Sequence, residues 1–284
     1  DYIKWYPCLD VAYTKIREWK EDGRWKPYAE EGGGEKLLDV MMVAKHLSNI
    51  HTRYNRIQRD FPHEGDNRAG FLSKNIKGNF REELHKEMRR QGVECKCIRC
   101  REVKNTPGDL SLAQIFIETY RASAGWELFI SMESPDRKIL YGFIRLRFND
   151  STDNPVFPEL SGAALIRELH VYGLVYPVYQ NGSIIKMSQH HGFGKRLIRY
   201  AEKQAIGYGY RKMAIVSGVG VRNYYRARGY HLDSGLGEYM MKDISLWKYY
   251  FEAVTQKKIN IHMAIIMGYL IPIILGFGYI YITY

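Results

Sequence analysis

The spacing of apolar positions changes period several times along the chain, and each change marks an element. Residues 36–50 carry helical periodicity, 52–57 read as a strand, and 79–91 read as a polar helix ending at Gly92. Residues 111–123 read as a helix. Residues 126–133 and 140–148 alternate apolar and polar like paired strands joined at Pro135-Asp136. A long strand is expected over 166–178, then a helix with Leu197, Ile198, Ala201 and Ala205 on one face. A short buried strand over 212–217 follows, then a glycine turn and two helical turns over 221–228 that stop at Gly229. The last strand expected of this part is 238–242. Loops fall at 32–34, 62–67 and 149–163, where glycine, proline and polar residues cluster.

The alternation of strands and helices makes this an α/β chain, and its most informative turn is Gln189-His190-His191-Gly192-Phe193-Gly194. Two glycines let several backbone N–H groups point into one concavity, and the helix that follows adds its positive end. Such a nest suits a pyrophosphate, with Lys195 and Arg196 adding charge beside it. Downstream, Tyr224 and Tyr225 lie on the helix that Gly229-Tyr230 closes.

The chain has four cysteines, and Cys95, Cys97 and Cys100 crowd into Cys-x-Cys-x-x-Cys. Thiolates at this spacing can converge on one soft cation, zinc being the usual choice. Three ligands are local; the fourth is open between Cys8, a histidine and water. An iron–sulfur cluster fits less well without an evident fourth thiolate. This clustering, with no apolar signal segment after Asp1, points to a reducing compartment and metal binding rather than disulfides.

Net charge is +11, with Lys and Arg densest over 81–104 and 195–228, which favours a polyanionic partner. Residues 244–262 read as an amphipathic linker carrying Trp247, Tyr249, Tyr250 and Phe251. Residues 263–284 contain no charged side chain. At ~1.5 Å per residue that is ~33 Å of helix, enough for a ~30 Å hydrocarbon core. A transmembrane helix is therefore expected there, tail-anchoring a cytoplasmic body to an intracellular membrane.

The layout of strand, phosphate loop, helix, strand and tyrosine-bearing helix resembles the GNAT N-acetyltransferases. Longer phrases are similar to the catalytic subunit of Elongator, a family that modifies the wobble uridine of tRNA. They are Arg167-Glu168-Leu169-His170-Val171-Tyr172-Gly173, Gln189 to Gly194, and Ser217-Gly218-Val219-Gly220-Val221-Arg222-Asn223-Tyr224-Tyr225. Arg56-Ile57-Gln58-Arg59-Asp60-Phe61-Pro62, Asn79-Phe80-Arg81-Glu82-Glu83-Leu84 and the cysteine linker extend the match, which covers residues 1–243.

The resemblance implies the C-terminal part of a radical-SAM barrel over 1–92, a cysteine-rich metal linker over 93–108 and a GNAT domain over 109–243. It implies acetyl-CoA as cofactor, tRNA as partner and other Elongator-type subunits around the chain. Glu168, Leu169, His170 and Val171 would pair with the pantetheine arm. Gln189, Gly192, Phe193, Gly194, Lys195 and Arg196 would hold the pyrophosphate, and Tyr225 would lie near the sulfur. Tyr225, Tyr224, Glu168 and His170 are the candidate catalytic residues. Glu168 or His170 would be a general base unless one of them pairs with Arg145 or Arg222. S-adenosylmethionine and a [4Fe-4S] cluster are expected for the family, but no Cys-x3-Cys-x2-Cys ligand set occurs here. The chain therefore reads as the C-terminal portion of a longer protein or a reduced version of one. Two other readings stand beside wobble-uridine carboxymethyl formation: a histone or protein lysine acetyltransferase, and a non-catalytic, membrane-tethered tRNA-binding remnant.

Overall fold

The computed structural model describes residues 1–5, 8, 12–26, 35–57, 80–104, 109–149, 156–173, 177–180, 183–186, 192–235 and 237–245. Its elements in chain order are β1 (Tyr2–Trp5), α1 (Lys15–Glu21), α2 (Glu35–His46), β2 (Arg53–Ile57), α3 (Phe80–Arg90), α4 (Ile98–Arg101), β3 (Gln114–Arg121), β4 (Gly125–Glu133), β5 (Leu140–Asn149) and β6 (Ala163–Val171). Then come β7 (Pro177–Gln180), β8 (Ser183–Lys186), α5 (Phe193–Gly207), β9 (Lys212–Ile215), α6 (Arg222–Arg226), β10 (His231–Leu232) and β11 (Met240–Asp243). The main sheet has seven strands in the order β10-β11-β9-β6-β5-β4-β3.

Contacts divide the chain into two compact units. The first comprises residues 1–118, 129–143 and 170–194. Here β1 and β2 pair in parallel, and α3 turns Phe80, Leu84 and Met88 inward at four-residue spacing. Those three close on Met41 and Met42 of α2, on Tyr54 and Ile57 of β2, and on Cys97. Glu82 and Glu83 begin α3 and Arg89 and Arg90 end it, matching the helix dipole. Arg101 ties the cysteine segment to its surroundings, donating to the Lys96 and Ile50 carbonyls and pairing with the buried Glu133 at 2.9 Å.

The second unit comprises residues 119–128, 144–169 and 195–284. In it β9 runs parallel to β6 and antiparallel to β11. Leu197, Ile198, Ala201 and Ala205 are buried, as their shared helical face requires. One charged residue sits on that face as well. Glu202 is buried and accepts hydrogen bonds from Tyr230 Oη and Lys242 Nζ, each at 2.8 Å.

Three expectations are corrected. Residues 111–123 do not form a helix: a single 3₁₀ turn, Leu110–Leu112, leads into β3. Ile115, Phe116, Ile117, Thr119 and Tyr120 are β-branched or aromatic, and their fit to a pleated surface outweighs the helical spacing. The strand expected over 166–178 starts earlier, at Ala163, and ends at Val171, and a separate antiparallel hairpin of β7 and β8 follows. The third correction concerns the tail. No helix among the described residues is long and apolar enough to cross a membrane, and residues 246–284 lie outside the described set. The transmembrane helix, the membrane partner and the tail-anchored localisation are accordingly withdrawn.

Candidate functional site

β6 and β9 part company halfway. Their register runs from Ala163↔Lys212 to Ile166↔Ile215, and the Val216 N–H makes a final bond to the Ile166 carbonyl. β6 continues through Arg167, Glu168, Leu169, His170 and Val171, whereas β9 has ended. The two strands share a ladder from Ala163 to Ile166, and β6 runs on past the end of β9. An extended ligand carrying amides can pair with a strand edge of this kind.

The residues along that edge differ in what they are free to do. Glu168 accepts from Arg145 Nε at 3.0 Å, and Arg145, which is buried, also donates to Tyr120 Oη at 2.9 Å. The pairing with Arg145 expected as one option is present, while Arg222 bonds to Glu238 at 2.8 Å instead. His170 is half-buried, its ring 5.4 Å from Phe143 and stacked on Tyr172 at 6.1 Å. Leu169 and Val171 are half-buried between and after them.

Gly192 opens α5 with φ at +75°, a conformation few residues other than glycine adopt. Space is open where a Cβ would stand. Phe193 is buried and packs on Tyr141 at 5.8 Å, Gly194 is buried, and Lys195 and Arg196 are exposed. The 15-residue α5 thus begins with a wedge of Phe193 in the core and two cations outside. Gln189 lies outside the described residues.

Tyr225 is buried on α6, edge-on to Tyr224 at 5.3 Å and to Tyr230 at 6.2 Å. Burial, seconded by Tyr224 and opposed by Arg228, pushes its phenol up to about 12. It is therefore a permanent O–H donor near neutral pH. Tyr224 is covered by the Arg228 guanidinium, 3.3 Å from its ring centroid, which ties it to packing. Gly229, at φ +82°, turns the chain so that Tyr230 comes back beside Tyr225.

The cysteines form a second centre. The Sγ atoms of Cys95, Cys97 and Cys100 all lie within 4.8 Å of one another and could hold a metal ion. Cys97 is held well below the ordinary thiol range by hydrogen bonds from Cys100 and Cys95 and by the Lys45 ammonium, against its burial. Cys8 is exposed. Two neighbours that the sequence reading did not single out complete the picture. His85 Nε2 lies 3.8 Å from Cys100 Sγ, and burial, then Lys45 and Arg81, push its imidazole down to about 4. Lys45 Nζ lies 3.1 Å from Cys100 Sγ and 3.5 Å from Cys97 Sγ. The signal for Lys45 was its place one turn after Met41, on the apolar face of α2; His85 follows Leu84, and nothing in its spacing marks it.

An α/β sheet in which parallel β6 outruns β9, preceded by a helical segment with a three-thiol cluster, defines the class of this fold. A solved structure of the archaeal Methanocaldococcus infernus Elp3 with an N-terminal deletion matches it with a TM-score of 0.68 and 33% identity, over 86% of this chain and 55% of that one. The tRNA uridine(34) acetyltransferase of Methanocaldococcus jannaschii is 36% identical over 251 residues, 85% of this chain and 43% of that protein. Elongator complex protein 3 of Drosophila melanogaster is 39% identical over 254 residues, 86% of this chain and 42% of that protein. No family model matches. The chain is homologous over most of its length to the family of Elongator complex protein 3 and tRNA uridine(34) acetyltransferase. It spans less than half the length of these curated relatives.

Proposed function

We propose that this chain carries the acetyl-CoA-handling part of an enzyme that modifies the wobble uridine of tRNA, working with other Elongator-type subunits. The observation that carries the reading is the continuation of β6 past the end of β9 on the phrase Glu168 to Val171, in a chain homologous to tRNA uridine(34) acetyltransferases. Acetyl-CoA supplies the activated acetyl group when bound. Backbone groups of Glu168, Leu169, His170 and Val171 would pair with its pantetheine amides. Gln189, Gly192, Phe193, Gly194 and the first N–H groups of α5 would take the pyrophosphate, with Lys195 and Arg196 adding charge.

Tyr225 would donate to the thioester sulfur. Its phenol, pushed up to about 12, stands roughly 3.5 units above an ordinary thiol near 8.5. Full proton transfer would run uphill by about 5 kcal/mol, so Tyr225 serves as a hydrogen-bond donor to the departing thiolate. With its carboxylate engaged by Arg145 Nε at 3.0 Å, Glu168 is assigned an orienting role and His170 that of general base for attack by water. Tyr224 packs beneath Arg228 and supports the helix.

The cysteine centre is read as zinc. Metal–ligand lengths of about 2.3 Å to sulfur and 2.0–2.1 Å to nitrogen put a tetrahedral S···N edge at roughly 3.6 Å. The 3.8 Å between Cys100 Sγ and His85 Nε2 fits that edge, so His85 is the proposed fourth ligand. The described residues contain no Cys-x3-Cys-x2-Cys set for an iron–sulfur cluster, and no step is assigned to one.

Release of CoA from acetyl-CoA by the whole chain, with and without bulk tRNA, tests the reading. Stimulation by tRNA is expected, and Tyr225→Phe should lower the rate about 10- to 150-fold, a hydrogen bond to a charged group being worth ~1.5–3 kcal/mol. Absence of acetyl-CoA binding and CoA release in both proteins would overturn it.

A further inference from the structure

We propose that Lys45 is the charge-balancing donor of the cysteine centre, setting its affinity for a divalent cation from outside the ligand set. The inference rests on the metal reading of Cys95, Cys97, Cys100 and His85. Lys45 is fully buried in α2, packed with Met41 and Met42 against the core and 5.0 Å from the ring centroid of Tyr54. A lone ammonium in such a place is costly, and buried charge survives only when paired. Its Nζ faces two sulfurs, 3.1 Å from Cys100 and 3.5 Å from Cys97, and the loop placing them is pinned by Arg101.

The charge count gives the reason. A dication with three thiolates and a neutral imidazole carries one net negative charge. The Lys45 ammonium offsets that charge from hydrogen-bond distance of two of the sulfurs. Lysine can donate to two thiolates at once, having three N–H bonds and no acceptor. It withdraws a little charge from those sulfurs and fixes their direction, as outer-shell partners of metal ligands do.

Competition titrations of the purified whole chain with zinc, together with the absorption of its cobalt form, test this. Wild type should bind one equivalent tightly. Lys45→Gln and Lys45→Met should bind about 10- to 100-fold more weakly, the usual effect of removing an outer-shell partner, with the thiolate-to-cobalt bands shifted. Lys45→Arg, which keeps the charge and cannot ligate, should stay within about threefold of wild type on the same outer-shell argument. Equal affinity and unchanged bands in Lys45→Gln overturn the proposal. Loss in Lys45→Arg as large as in Lys45→Gln also overturns it, because Lys45 would then act as a ligand or by shape. Should Lys45→Met fail to fold, the comparison of Arg with Gln still decides. A wild type that binds no metal overturns the metal reading and this proposal with it, whereas tight wild-type binding with an indifferent Lys45→Gln overturns this proposal alone.

Discussion

Replacing Lys242 by methionine should destabilise the second unit strongly. Lys242 and Glu202 are both buried, 2.8 Å apart, and Glu202 takes a second bond from Tyr230 Oη. Methionine fills the volume of the lysine stem but leaves the carboxylate with one donor. Breaking a buried pair from one side costs about 3–5 kcal/mol. At ~2–4 °C per kcal/mol for a domain of this size, the melting transition should fall by roughly 6–20 °C. The double variant Glu202→Gln with Lys242→Met removes both charges and keeps an amide oxygen for Tyr230. Its cost should drop to about 1 kcal/mol, because a buried pair replaced as a unit is often nearly neutral. The double variant should then be ~2–4 kcal/mol more stable than Lys242→Met alone, a difference well above the error of additivity. Thermal and urea unfolding of wild type, both single variants and the double measure it. A Lys242→Met transition lowered by under about 2 °C would refute the reasoning, as would a double variant no more stable than Lys242→Met.

Two further outcomes follow from close contacts and burial. A Cβ at Gly142 would stand 2.8 Å from the His170 carbonyl oxygen and 3.2 Å from Val171 Cα, so Gly142→Ala must push that strand aside. About 1–3 kcal/mol of stability should be lost, and acetyl-CoA should bind more weakly; wild-type values of both in the variant contradict this. The second outcome concerns alkaline pH. Tyr225 keeps its proton in the folded chain until about 12, while the unfolded phenol loses it near 10. The folded state then binds more protons between those values, so stability is flat below pH 10 and falls from there to pH 12. Urea unfolding at successive pH values should show that fall, with a shallower slope in Tyr225→Phe, and equal slopes would count against the buried phenol.

The parts of the fold that the chain announces are those where burial and local preference agree. Leu197, Ile198, Ala201 and Ala205 mark α5, and they are buried. Residues 114–121 misled because Phe116 and Tyr120, four apart, satisfy helical spacing as well as strand alternation, and pairing within the sheet decides the matter. Sequence spacing brought out the three cysteines because they ligate locally. It did not bring out Lys45, 52 residues from Cys97, nor His85, 15 residues from Cys100, because only folding closes those gaps. The pairing of Glu168 with Arg145 could be listed as an option but not chosen, since the register between β6 and β5 settles which arginine arrives. Lys45, Glu202 and Lys242 share one lesson: a charge on an apolar face identifies a network whose other members lie far away in the chain.

The early end of β9 has a consequence for the solution behaviour of the protein. An unpaired strand at the rim of a sheet is a template for another chain and invites aggregation. The part of β6 beyond the end of β9 lies inside the sheet order, between β9 and β5, so a whole strand from another molecule would have to enter end-on. A slender amide chain needs less room. A ligand bound there acts as a missing strand, and its free energy is added to that of the fold: about 2.7 kcal/mol at a concentration 100 times its dissociation constant. Cellular supply of the ligand would then set how often this part of the chain opens, and with it the rate at which proteases find it.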